Sequence, residues 1–338
     1  MEGRTEAQAT ISSVDPRTGA LRYRDRDVIE LIGHEPFEAV WGLLVDGHLH
    51  PALPPAEPFP FHPHTGDLRV DVQSAIAQLA PLWGYRSVID ITRERLREDL
   101  ARATVLALSF VARTARGEDL PTVHQQEVDA AESAAARFLI RWRGHASAGE
   151  VTAVDSYLTA VAEHGLTPST RTARLGAARG ADAAACLSAA VAVSSGPLGG
   201  GASVRALRLI ESAEDSGDAS RVVGDLVDQS SRLWGFGHSN GARVDPRADA
   251  LHTLCRRLGV PRLEVAEAVE RAAVAALAEH QGGSPGHGAN VMYWGAVLLD
   301  YAGVPARMFP AMFACGRTAG WSAHIIDQRT SEQPDRVA

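Results

Sequence analysis

The stretch LREDLARATVLALSFVARTARG, residues 96–117, decides the fold class. Leu96, Leu100, Ala103, Ala107 and Phe110 recur at alternating steps of four and three, the spacing of one buried helix face, and the pattern stops near Gly117. Working outward, Phe37, Val40, Trp41 and Leu44 repeat it up to Gly47, and Val265, Val269, Ala272 and Ala276 repeat it after Pro261. The Ala/Val run from Ala183 is apolar all round, which predicts a helix buried on every side. β-Branched alternation is confined to Ala9–Ser13 and Ala20–Tyr23, around the turn signals Asp15-Pro16 and Thr18-Gly19. The expectation is a mostly α protein with one small N-terminal β-hairpin. Pro51, Pro54, Pro55, Pro58, Pro60 and Pro63 predict an irregular connection from His50 to Gly66, and Gly196–Gly201 and Gly282–Gly288 are candidate hinges or site loops.

Composition narrows the chemistry. The 338 residues include 33 basic ones, all arginine, so an internal lysine Schiff base, a phosphate loop of the G-K-[ST] type and an S-x-x-K nucleophile are excluded. A net charge of −8 without a basic run gives nucleic acid no electrostatic footprint. Cys186, Cys255 and Cys315 are far apart and odd in number, which argues for a reducing compartment and against a disulfide framework; a cytoplasmic location is expected. The N-terminus has no apolar signal region, and the run Ala183–Ser195 is too short to span a bilayer, so no membrane partner is expected.

Three constellations deserve weighing on chemistry alone. The pairs His48/His50 and His62/His64 put four imidazoles in a Pro-rich segment, but no nearby Asp, Glu or Cys completes a metal site, and a solvated loop is the simpler reading. Gly237-His238-Ser239-Asn240-Gly241 fits the G-x-S-x-G elbow, yet residues 232–236 make a poor strand and no βα alternation surrounds them. Gly196-Pro197-Leu198-Gly199-Gly200-Gly201 opens a helix whose first N–H groups could hold an anion, or is simply a tight turn where glycine fits.

Five blocks, in order and across nearly the whole chain, resemble the citrate synthase family, closest to the short actinobacterial citrate or 2-methylcitrate synthases. Glu163-His164-Gly165-Leu166-Thr167-Pro168-Ser169-Thr170 with Ala173-Arg174 is similar to E-H-x-x-N-A-S-T-x-x-A-R. The Gly196 loop stands at G-P-L-H-G-G-A, and Gly235-Phe236-Gly237-His238 with Asp245-Pro246-Arg247-Ala248 at G-F-G-H…D-P-R-A. Asn290-Val291-Met292 sits at N-V-D/E, and Arg317-Thr318-Ala319-Gly320-Trp321 at R-T-x-G-W. The N-terminal Ala9–Ser13, Gly19–Arg24 and Phe37–Trp41 look like the family's opening hairpin and first helices.

The resemblance implies a two-domain helical fold. Residues 1–200 and 305–338 would form the large domain, and 201–304 a small domain closing over the cleft, in a homodimer. It also implies a site that joins the methyl carbon of an acyl-CoA to the ketone of an oxo acid. The oxo-acid half is retained: His164, Arg247 and Arg317 would bind a 2-oxo acid or polycarboxylate, and His238 would polarise its ketone. The carbanion half is substituted, with Gly199 at the histidine and Met292 at the carboxylate that enolise the thioester. Losing either group costs about 10² to 10⁴ in rate.

Ordinary citrate synthesis is therefore expected to be absent or very weak. No cofactor is expected, and a CoA thioester is at most a co-substrate. Ser239 and His287 are candidates for a substitute catalytic role, and Arg336 for the arginine that the family lends to the neighbouring subunit. Two readings stay open: an acyltransferase- or lyase-like enzyme with altered C–C chemistry, or an inactive homologue acting as a ligand sensor or as partner of an active paralogue.

Overall fold

The computed structural model describes residues 11–15, 18–55, 57–59, 65–229, 231–237, 245–280 and 288–332. Strands β1 (Ser12–Val14), β2 (Leu21–Tyr23) and β3 (Arg26–Asp27) form an antiparallel sheet in chain order, with Ser12 opposite Tyr23 and Arg22 opposite Asp27. The expected hairpin is thus extended by a third strand. The β2–β3 turn carries no glycine or asparagine to announce it: Arg24 takes the left-handed conformation, φ 55°. That costs about 1 kcal/mol, and the Arg24 guanidinium offsets it by donating to the Leu44 carbonyl at 3.1 and 2.5 Å.

Everything else regular is helical. The order is α1 (Val28–Leu31), α2 (Phe37–Asp46), α3 (Leu68–Ala77), α4 (Leu79–Trp83), α5 (Arg93–Arg116), α6 (Gln125–Asp129), α7 (Ala134–Arg143) and α8 (Ala148–Val161). Then come α9 (Pro168–Ala178), α10 (Ala183–Ser194), α11 (Ala202–Ser216), α12 (Ala219–Asp228), α13 (Pro246–Leu258), α14 (Leu263–His280), α15 (Val291–Tyr301) and α16 (Phe309–Glu332). The stripe that decided the fold class lies on α5, where Leu96, Leu100, Ala103, Ala107 and Phe110 are all buried between the Thr92 cap and Gly117. Gly47 ends α2 in the left-handed conformation, φ 90°, which a side chain would resist. Helix α10 departs from expectation: Ala185 and Ala192 are exposed and Val193 is 46% exposed, because apolar periodicity does not tell a buried face from an apolar surface one.

Helix α16 is the axis of the core. It packs against α2, α3, α5, α8, α9, α10 and α11, and its Phe309, Cys315, Trp321 and Ile325 are fully buried. Small residues make this reach feasible. A Cβ on Gly316 would lie 2.5 Å from Val161 Cγ2 and 3.0 Å from the Leu158 carbonyl, so the α16 backbone rests directly on the end of α8. The chain that leaves α8 there, residues 162–167, is the floor of the candidate site. Cys186, Cys255 and Cys315 are buried free thiols, each pushed up to about 12 by burial. Among the described residues no helix is long and apolar enough to cross a membrane.

Candidate functional site

Three helices begin at the site, and each is capped by a side-chain oxygen. Thr167 accepts from the Thr170 N–H at the start of α9, Asp245 from Arg247 N–H at α13, and Asn290 from Met292 N–H at α15. Pro168 and Pro246 follow two of these caps as first helical residues, a position that needs no N–H. The caps tie the segments together. Asp245 Oδ2 also accepts from Val291 N–H at 2.9 Å, and Asn290 Nδ2 donates to the Gly237 carbonyl at 2.8 Å.

The turn 163–165 holds His164 between two buried anchors. Tyr23 Oη donates to the Glu163 carbonyl at 3.0 Å and accepts from the Glu163 N–H at 3.2 Å. The Glu163 carboxylate, fully buried, accepts from Ser12 Oγ at 3.0 Å, from His324 Nε2 at 3.3 Å, and through a short contact from Gly165 N–H. Burial opposes its charge, but His324, Arg317 and Ser12 hold its pKa down to about 2. At Tyr23 burial outweighs the opposing pull of Arg247, the Glu163 backbone and Arg317, and raises the hydroxyl to about 12.

His164 itself is half-buried and makes no hydrogen bond to a described residue. The positive charge of Arg247, then burial, then Arg317 depress its pKa to about 3, so the ring is neutral at ordinary pH. A neutral imidazole with free nitrogens is a donor or acceptor for a ligand, not a counter-ion.

The two arginines differ. Arg247 is charge-paired: its Nε and Nη2 pair with both oxygens of Asp245 at 2.8 and 2.9 Å, and Nη1 donates to the Ala160 carbonyl at 3.4 Å. Burial works against its charge, and Asp245 more than restores it, raising its pKa. Arg317 is 2% exposed and has no carboxylate within ion-pair distance among the described residues. Its Nη2 donates to Thr167 Oγ1 at 3.1 Å, while Nε is buried without a partner. Burial lowers its pKa, and Glu163 and Tyr23 offset this only in part. A guanidinium only partly compensated in such a place favours an anion.

The glycine loop leaves no room for a side chain at position 199. At Gly199 an added Cβ would overlap the Ser194 carbonyl oxygen and meet the Ser194 carbonyl carbon at 2.9 Å. The loop is braced by its own backbone, with Gly199 N–H donating to Gly196 O at 2.9 Å and Gly200 N–H to Ser194 O at 2.9 Å. Phe313 fills the space beside Gly200, 2.9 Å from where a Cβ would sit. Met292 lies buried in the first turn of α15, and its thioether can accept no proton.

The structure thus brings together His164, Arg247 and Arg317, while His238, Ser239, His287 and Arg336 lie outside the described residues. The segment before the G-x-S-x-G match has no strand, only a bridge from Phe236 to Ala289. His50 is taken by Asp46 at 2.8 Å and stacks on His48, His62 and His64 lie outside the described residues, and among those described no group of three ligands could hold a metal. Sequence reasoning gave no role to Glu163, Tyr23, Ser12, Asp245, Thr167 or His324. A signal for the last was present: Arg317, Gly320 and His324 share one face of α16. Elsewhere, a groove of about 660 Å³ is lined by Arg205, Arg208 and Arg232 around Trp234, two of whose neighbours, Arg205 and Arg232, stack on its ring at 4.4 and 4.9 Å.

Comparison with known proteins agrees over the whole length. The family profile described as "Citrate synthase, C-terminal domain" matches residues 1–337. The protein named "Putative citrate synthase 2" of Mycobacterium tuberculosis is 48% identical over 332 residues, covering 97% of this chain and 88% of the relative. The 2-methylcitrate synthase of Shewanella oneidensis is 26% identical over 356 residues, covering 98% and 91%. Citrate synthase from Thermoplasma acidophilum, solved as a ternary complex with carboxymethyl coenzyme A and oxaloacetate, superposes with a TM-score of 0.82 at 21% identity, covering 97% of this chain and 91% of that one. That last likeness is one of fold.

Proposed function

The chain belongs to the citrate synthase family, and from that premise we propose that it binds a small 2-oxo acid or polycarboxylate without performing the ordinary acyl-CoA condensation. The observation that carries this reading is Arg317: a fully buried guanidinium with no carboxylate of its own, beside the neutral His164. A ligand carboxylate would accept from Arg317, and a second polar group of the ligand would meet the His164 ring. Arg247, already neutralised by Asp245, shapes the pocket and offers its remaining N–H groups. His238 would polarise the ketone, as the family resemblance implies.

Condensation would need an enolate stabiliser and a base, and Gly199 and Met292 supply neither. The overlap of any Gly199 side chain with Ser194 favours the second reading, a non-catalytic sensor, over an enzyme with altered chemistry, since the loop has no room for a substitute group on that residue. Ser239 and His287 are the groups on which the enzymatic alternative rests. Should a CoA thioester bind, Arg205, Arg208 and Arg232 line a groove suited to its phosphates.

Residues 201–304 would form the smaller domain of the cleft. Exposed Val70, Leu82, Leu175 and Val193 on the packed helices α3, α4, α9 and α10 would bury against a second copy; sedimentation at monomer mass would reject that pairing.

The deciding experiment is calorimetry with oxalate, an unreactive analogue of a 2-oxo acid, alongside an assay of thiol release from acetyl-CoA with oxaloacetate. Oxalate binding that falls at least about tenfold in Arg317→Gln, with no thiol released, is expected. Unchanged affinity in that variant, or thiol release at an ordinary enzymatic rate, would overturn the reading. Product analysis by mass spectrometry of any 2-oxo acid that binds separates sensor from enzyme.

A further inference from the structure

We propose that the buried pair Glu163 and His324 is a positioning device for His164 and Arg317, setting both toward the ligand carboxylate. The inference rests on the carboxylate-binding reading of the site. Its basis is the way one carboxylate and one imidazole, both fully buried, hold the two segments that carry the binding groups.

From the side of the turn, Glu163 Oε1 gathers the Gly165 N–H, Ser12 Oγ and His324 Nε2, so the backbone on either side of His164 is fixed to a single atom. From the side of α16, Arg317, Gly320 and His324 face the same segment. Arg317 reaches Thr167, Gly320 N–H donates to the Ala162 carbonyl at 3.0 Å, and His324 reaches Glu163. Gly320 must lack a side chain, because a Cβ there would overlap Glu163 Oε2.

The imidazole is oriented in turn. Arg174 Nη1 donates toward His324 Nδ1 at 3.3 Å and to Asp327 Oδ2 at 2.6 Å, which leaves Nε2 as the N–H that points at Glu163. Both are fully buried and bond to the turn and the helix, so they act through those segments. Burying an ionisable pair is a poor route to stability alone, since a well-packed apolar pair would serve as well. The geometry is better explained by what it orients.

Two polar substitutions separate positioning from packing. Glutamine at His324 places an N–H near the old Nε2 and keeps the bond to Glu163, whereas asparagine matches only the Nδ1 side facing Arg174. The first readout is the His164 ring signal of ¹⁵N-histidine-labelled, ligand-free protein, titrated by NMR and assigned with His164→Gln. The groups facing this ring are Arg247, Arg317, Asp245 and Glu163. In the native protein and in His324→Gln the ring stays neutral well into the acid range. In His324→Asn the turn loosens, the ring leaves the two arginines, and it titrates near the ordinary ~6.5.

The second readout is oxalate calorimetry, with an affinity loss of about tenfold in His324→Asn and within about twofold of native in His324→Gln. A folded His324→Asn that leaves the His164 titration unchanged overturns the proposal, and so does a His324→Gln that perturbs it equally. Should His324→Asn fail to fold, Ser12→Ala decides: an upward move of the His164 titration supports positioning, and none overturns it. If the native protein binds no oxalate, the carboxylate reading fails, yet the NMR titration still judges whether His164 is positioned.

Discussion

The starts of helices α9 and α11 are built by opposite means. Residues 163–170 reach α9 through side chains: Glu163, Tyr23, Ser12, Thr167, His324 and Arg317 are tied into the turn by hydrogen bonds, and the helix is capped by a threonine oxygen. Residues 196–202 reach α11 mainly through backbone, with an uncapped Gly201 and N–H to carbonyl bonds from Gly199, Gly200, Gly201 and Ala202 within the loop and to Ser194, joined by one bond from Ser203 Oγ to the Gly200 carbonyl. In the family pattern both starts carry chemistry. Here one keeps a dense set of oriented polar groups, while at the other an added Gly199 Cβ would overlap the Ser194 carbonyl oxygen. Phe313 links the two, packing beside Gly200 while its ring lies 5.9 Å from the Arg317 guanidinium.

The largest effect that would break this comparison lies at the charge-paired arginine. Arg247→Gln removes the guanidinium that pairs with the buried Asp245 at the junction of α13 and α15, and a loss of about 3–5 kcal/mol in urea unfolding is expected. A loss below about 1 kcal/mol would mean that the polar half is less tightly built than its geometry implies.

Next comes the glycine loop. Gly199→His should destabilise by about 2–3 kcal/mol, since its Cβ overlaps Ser194 O. Combined with Met292→Asp it should still release no thiol from acetyl-CoA. Recovery of condensation in that double variant would show the loop to be merely unoccupied and erase the contrast.

The smallest effect sharpens the difference between the arginines. Arg317→Gln should change unfolding free energy by less than about 1 kcal/mol, or stabilise slightly, because it removes a buried charge that has no ion partner. A loss as large as that of Arg247→Gln would mean that Arg317 is structural.

Much of this architecture is written in local pattern. The stripes on α2 and α5 and their glycine stops need only periodicity and φ preference, and both are where the sequence places them. The third strand escaped because Arg24 takes a conformation usually left to glycine, held by a contact to Leu44 that only folding creates. His164, Arg247 and Arg317 were legible as motif members. What escaped was their inequality: that Asp245 silences Arg247 while Arg317 stays bare depends on side-chain directions across three helices. The closure of Gly199 is equally invisible in sequence, since a glycine says that no side chain is present, not that none would fit.

The three buried cysteines bear on how the molecule can be handled. Each thiol is enclosed and pushed up to about 12, and the chain contains no lysine, so neither thiolate nor ε-amine stands ready for an electrophile. A single cysteine introduced at the exposed Leu198 would be a lone reactive handle on the glycine loop. A fluorophore or spin label carried there could follow that loop against an otherwise silent background, with no other cysteine or lysine to remove first.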